Sequence, residues 1–213
     1  MLPDRQIGIM PYASRTGTRR NLAALREHGF ALLISATGCH RDEGFETIGL
    51  DNGAWTAFQS GQSWDEVSFL ELVEEFGHKA QWVVVPDVVA DRDQTLESTE
   101  RWLPRLRGVA RRRLVAVQDG MTPEDVQHWI SPDVGIFVGG STDFKWATLE
   151  TWAELARERG AYLHVGRVNT IRGISRCTCV GADSFDGTSA TMFSVNARKL
   201  GRFARQGALQ WRS

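Results

Sequence analysis

Gly181-Ala182-Asp183-Ser184-Phe185-Asp186-Gly187-Thr188-Ser189 reads as a short buried strand that ends in a carboxylate. Gly187 directly after Asp186 lets the backbone turn sharply and a ligand come close, which is how acids at strand ends are presented. Asp186 is therefore the first candidate for a nucleophile. Asp, Gly, Thr and Ser also build ordinary strand-to-helix connections, so a turn or helix cap is the plain alternative. What decides between them is that other strands of the chain end in a similar way.

Working outward, apolar runs at Ile7 to Met10, Ala31 to Ser35, Thr47 to Leu50, Trp82 to Val85, Leu114 to Val117, Gly135 to Val138, Tyr162 to Val165 and Ala182 to Phe185 predict eight strands. Amphipathic segments at Thr18 to His28, Trp64 to Phe76, Gln94 to Leu106, Pro123 to Trp129, Thr148 to Arg159 and Thr170 to Cys177 predict helices between most of them. Continuous apolar strands separated by helices argue for a parallel sheet covered on both faces, and eight such units close into a compact (β/α)₈ barrel of the TIM type. Residues 36 to 46 are too short and polar for a full crossover helix. An open, doubly wound sheet is the alternative fold.

In such a barrel, function lies at the C-terminal ends of the strands. Those ends carry Asp51-Asn52-Gly53-Ala54-Trp55, Pro86-Asp87, Gln118-Asp119-Gly120, Gly139-Gly140-Ser141, His164-Val165-Gly166-Arg167 and Asp186-Gly187. Carboxylates, an amide and small residues recur at one ring of positions. Asp119 and Asp183 read as caps or turn residues.

The 213 residues contain no low-complexity tract or long Pro/Gly/Ser linker, so residues 1–213 are expected to form one domain. The N-terminus lacks the regions of a signal peptide and no apolar run approaches membrane-spanning length, so a cytoplasmic protein with no membrane partner is expected. Three cysteines, Cys39, Cys177 and Cys179, provide no disulfide framework. No Cys or His follows Cys179, so Cys177-x-Cys179 lacks the further ligands a zinc ion needs, and neither metal nor cofactor is expected. Net charge is −1, but residues 1 to 106 carry 10 Lys/Arg against 16 Asp/Glu and residues 107 to 213 carry 15 against 10. Basic residues from Arg167 onward, including Arg172, Arg198, Arg202 and Arg205, surround an acidic centre, as a phosphate-backbone substrate would require. A solvated C-terminal helix is the alternative reading.

Six motifs, in order, resemble the tRNA-guanine transglycosylase superfamily, whose members exchange guanine for a 7-deazaguanine in a nucleic acid. They are Met10-Pro11-Tyr12-Ala13-Ser14, Asp51-Asn52-Gly53-Ala54-Trp55-Thr56, Val117-Gln118-Asp119-Gly120, Val138-Gly139-Gly140-Ser141, Tyr162-Leu163-His164-Val165-Gly166 and Phe185-Asp186-Gly187. The family's zinc-binding subdomain after the last barrel strand has no counterpart here. In that respect the chain is similar to compact DNA-directed relatives, which favours DNA over tRNA as the polymer.

The resemblance implies that Asp186 attacks the anomeric carbon to give a covalent glycosyl-enzyme, with Asp51 protonating the departing guanine and deprotonating the incoming base. It assigns Asp87, Gln118, Gly139, Gly140, Trp55 and His164 to the base, with a structural histidine as the alternative at position 164 and a core indole at position 55. Arg167, Arg172, Arg198, Arg202 and Arg205 are the expected nucleic-acid contacts; a homodimer or an accessory protein would supply any others. Two rivals stand beside this reading. One is an N-glycosidase or nucleoside hydrolase using water in the same pocket; the other is a non-catalytic barrel that binds a base or nucleic acid.

Overall fold

Apolar strands that must be covered on both faces find that cover by alternating with helices around a closed ring. A computed structural model of the chain describes residues 8–16 and 18–206. Its strands are β1 (Met10–Ser14), β2 (Ala31–Ser35), β3 (Ile48–Asp51), β4 (Trp82–Val84), β5 (Arg113–Val117), β6 (Val134–Val138), β7 (Leu163–Val165) and β8 (Ser184–Asp186). All neighbours pair in parallel, and β8 returns to β1 through Met10 opposite Ser184 and Tyr12 opposite Asp186, so the barrel is closed. The helices are α1 (Arg19–Glu27), α2 (Ala54–Ser60), α3 (Glu66–Phe76), α4 (Arg92–Arg105), α5 (Pro123–Val126), α6 (Thr142–Arg159), α7 (Ile171–Val180), α8 (Ser189–Met192) and α9 (Ser194–Gln206). None is long and apolar enough to cross a membrane.

Strand alternation divides the core in two. Ile34, Ile48, Leu50, Val83, Val115, Val117, Ile136, Val138, Val165 and Phe185 belong to the larger cluster, where the strands meet the helices. Tyr12, Ala31, Leu33, Trp82, Val84, Leu114 and Ala116 form a second cluster inside the barrel. Such an interior must be filled rather than hollow. Gly49 makes room for Trp82, since a Cβ there would stand 2.5 Å from the indole. Gly135 does the same for Leu114 and the Tyr162 carbonyl.

Two expectations change and one, the closed barrel despite a helix-less second crossover, holds. The first strand lies at Met10–Ser14 rather than Ile7 to Met10, with Ile7 outside the described residues. Pro11 has no N–H to give a ladder, which hides the strand in the sequence, yet Tyr12 beside it is a buried filler of the barrel interior. Residues 36 to 47 hold no helix, but β2 and β3 still pair from Leu32 opposite Ile48 to Ser35 opposite Asp51, so the sheet does not open. The sixth helix begins at Thr142 rather than Thr148, capped by Ser141, whose hydroxyl accepts from the Phe144 N–H at 3.1 Å.

Candidate active site

The same alternation that turns Tyr12 and Trp82 inward turns Asp51 and Asp186 inward at the opposite end of the barrel, where β3 and β8 finish. Asp186 is 8% exposed and both its oxygens are held. Oδ1 accepts the Arg167 backbone N–H at 3.1 Å, and Oδ2 lies 2.9 Å from His164 Nε2. Ser184 Oγ lies 2.7 Å from His164 Nδ1. In the tautomer that carries its proton on Nε2, His164 donates to the carboxylate and its Nδ1 accepts from the serine.

Below the carboxylate the barrel is aromatic. The His164 ring stacks on Phe137 with centroids 4.9 Å apart, tilts against Trp82 at 4.7 Å and meets Tyr12 edge-on at 5.8 Å. His164 is fully buried and both ring nitrogens are taken. It has no hydrogen-bonding atom left for a base, so its place is beneath Asp186 as a positioning group rather than in the base-binding set.

Asp51 lies in a different environment. It accepts from Ser35 Oγ at 2.9 Å. Burial chiefly, then the negative charges of Asp186 and Asp87, push its carboxyl up to about 6 against the pull of the Ser35 bond. Asp87, also raised mainly by burial, accepts from Asn52 Nδ2 at 2.7 Å and from Gln118 Nε2. Asn52 is fully used: its amide also donates to the Val85 carbonyl at 3.0 Å, and its Oδ1 accepts the Ala54 N–H at 2.9 Å. The other end of the Gln118 amide is unpaired. Gln118 Oε1 is buried with no hydrogen-bond partner, a costly state unless a ligand supplies a donor.

Trp55 sits in α2, a helix entered through Gly53 at φ +80°, and is 37% exposed, so it is a rim residue and not core filling. Arg167 reaches it from the loop after β7. The guanidinium carbon lies 3.9 Å above the indole centroid, and Nη2 donates to the Gly140 carbonyl. Gly140, at φ +64°, faces this mouth, whereas the Gly139 N–H is taken by the Val117 carbonyl at 3.1 Å and is withdrawn from the base-binding set. Asp119 ties the rim together by accepting the Ser141 N–H at 2.6 Å and hydroxyl at 2.5 Å.

Sequence reasoning missed Lys145. Its ammonium is buried and donates to the Gly166 carbonyl at 2.5 Å, one residue before the N–H that holds Asp186. Burial, then the Arg167 charge, pulls it down to about 8 against the attraction of Asp186. The signal was available, because Lys145 stands in register with the buried Leu149, Trp152, Ala153 and Ala156 on the inner stripe of α6.

The remaining arginines separate. Arg172 is the second residue of α7, and Arg198, Lys199 and Arg202 line a groove of about 390 Å³ with Ile171, Val195 and Phe203. Arg205 is elsewhere: its side chain lies against Gly29, two residues before β2, and the Ala204 carbonyl accepts the Ile9 N–H, so it marks the opposite end of the barrel from the mouth. Cys177 is buried and Cys179 exposed on α7, and among the described residues no group of three or more His, Cys, Asp or Glu could hold a metal ion.

No protein-family model and no curated protein matches the sequence. Among solved structures, a chain of tryptophan synthase from M. tuberculosis, in an aminoacrylate- and BRD0059-bound form, is similar at TM-score 0.56 and 11% identity, over 95% of this chain and 94% of that one. The likeness is one of fold alone. Together with the closed eight-strand ring it makes the chain a TIM-type barrel.

Proposed function

We propose that the protein is a base-exchange transglycosylase that replaces guanine in a nucleic acid, DNA in preference to tRNA, with a 7-deazaguanine base. The observation that carries this reading is the split between two carboxyl groups at one mouth. Asp186 is held on both oxygens by N–H groups, while Asp51, raised to about 6, is tuned to give and take a proton near neutral pH. Asp186 attacks the anomeric carbon, its oxygen forming the new bond as the bond to guanine breaks. Asp51 gives its proton to the departing base. The incoming base then returns a proton to Asp51 and its nitrogen displaces Asp186 from the sugar. Asp87 and Gln118 read the base edge; the buried, unpaired Gln118 Oε1 supports this reading, because a ring N–H would supply the donor it lacks.

A polymer substrate is supported by the rim. Met192, Phe193 and Val195 are exposed where α8 passes into α9, beside the cationic groove of Arg198, Lys199 and Arg202. Aromatic and cationic groups together suit unstacked bases and phosphates. The test is incorporation of radiolabelled guanine and 7-deazaguanine bases into DNA and tRNA offered side by side. Label in DNA is expected, and label only in tRNA would overturn the preference. Release of free guanine without incorporation would make the protein a glycosidase, and no reaction would leave a binding barrel.

A further inference from the structure

We infer that Arg167 is a removable occupant of the base subsite, and that its guanidinium marks that subsite as one for planar rings with a guanidine-like N–H edge. The inference rests on the base-exchange reading of the mouth. Arg167 adopts φ +57°, a left-handed conformation uncommon for a side-chain-bearing residue. That backbone gives its N–H to Asp186, while the side chain crosses to Trp55 and the Gly140 carbonyl. Asp186, Asp119 and Asp87 supply the negative charge around it.

A guanidinium is flat, stacks on aromatic faces and carries its N–H donors in its own plane. The N1–H and 2-amino edge of guanine is a guanidine fragment of the same shape, with the same in-plane donors. Ring and side chain compete for one face of Trp55, so a base enters only as Arg167 leaves. Arg167 also leaves the buried Gln118 Oε1 unpaired, an acceptor that a base with a further ring donor satisfies. The side chain therefore occupies the mouth without satisfying Gln118, and weaker stackers do not displace it.

The experiment is calorimetric titration of the wild-type protein, Arg167→Gly and Arg167→Lys with isocytosine and 7-deazaguanine, and with hypoxanthine, which lacks the amino group. Glycine accepts φ +57° without strain and keeps the N–H to Asp186. If the occupied state holds about nine-tenths of the molecules, Arg167→Gly binds the two amino-bearing rings about tenfold more tightly. Arg167→Lys, charged but unable to stack as a plane, falls between, and hypoxanthine stays weaker throughout. Equal or weaker binding by Arg167→Gly would show that the side chain aids the ligand or merely balances the carboxylates, and would overturn the inference. An independent reading is the Arg167 Nε–Hε resonance, which the Trp55 ring current shifts in the wild type and not in Trp55→Ala. Identical resonances would overturn the seating of Arg167. Failure of all three proteins to bind any ring overturns the ligand class, whereas binding without incorporation overturns only the exchange reaction.

Discussion

The two ends of the barrel are built to opposite rules. At the N-terminal end Trp82, Tyr12 and Leu114 fill the interior until Gly49 and Gly135 have no room for a Cβ. At the C-terminal end the chain places three carboxyl groups, a buried unpaired amide oxygen and a guanidinium. The larger of the two cavities described lies at the other end from these groups. A cavity of about 1130 Å³ opens beside Gly8, Gln81, Arg112 and Asp183 at the N-terminal end, but Asp183 there commits a carboxylate oxygen to the Leu163 N–H at 2.8 Å. Packing dominates one end, where Trp82 Nε1 is buried without a partner among apolar side chains; at the other, the unpaired Gln118 Oε1 stands among ionisable groups, as the proposed base site would require.

Substitutions at the two ends should therefore separate chemistry from stability. The largest effect expected is at the proposed nucleophile: Asp186→Asn should lower label incorporation by at least about a thousandfold while leaving thermal unfolding near that of the wild type. At the other end Trp82→Ala should reverse the pattern, costing about 3 to 5 kcal/mol in urea denaturation through the lost indole and the void beneath His164. A Trp82→Ala protein as stable as the wild type would show that the interior is not packed as described.

Asp51 should show both kinds of effect. Asp51→Asn should slow base departure by about 10² to 10⁴ and remove a decline in single-turnover rate as pH rises through about 6. Its folded value lies above the unfolded one, so the folded protein holds this proton more tightly. The stability it contributes is full below about pH 4 and is lost as pH rises through 6. Asp51→Asn should then gain about 2 kcal/mol on the wild type between pH 4 and 8. A constant difference across that range would contradict the environment described for Asp51.

Smaller effects test the supports. Lys145→Met should loosen the Gly166–Arg167 turn, speed amide hydrogen exchange at Arg167 and cut incorporation about tenfold to a hundredfold. Unchanged exchange at that amide would return Lys145 to a purely structural role. Among the basic residues, replacing Arg172, Arg198 and Arg202 by alanine should weaken DNA binding and flatten its salt dependence by about 0.9 for each phosphate no longer neutralised, whereas Arg205→Ala should do neither.

The barrel was legible because its strands are continuous apolar runs, and the mouth because Asp51 and Asp186 stand at the last inward position of their strands. Period-two alternation alone could have turned His164 inward beside Ser184, and helical period could have put Lys145 on the apolar stripe of α6. Two features had no such signature. A left-handed arginine at 167 is decided by the loop it closes, and the bond from the Gly139 N–H to Val117 depends on a strand pairing that no local pattern announces. The helix α2 was hidden for a related reason, since a seven-residue amphipathic turn after Gly53 is too short to show a period.

The central claim is that Asp186 forms a bond to the sugar. Incubation with a guanine-containing DNA oligonucleotide, rapid denaturation and peptide mass mapping would test it most directly. The expected product is an oligonucleotide with one base missing, covalently attached to the peptide bearing Asp186 and absent from Asp186→Asn. Full exchange by Asp186→Asn, with no adduct on the wild-type protein, would contradict it.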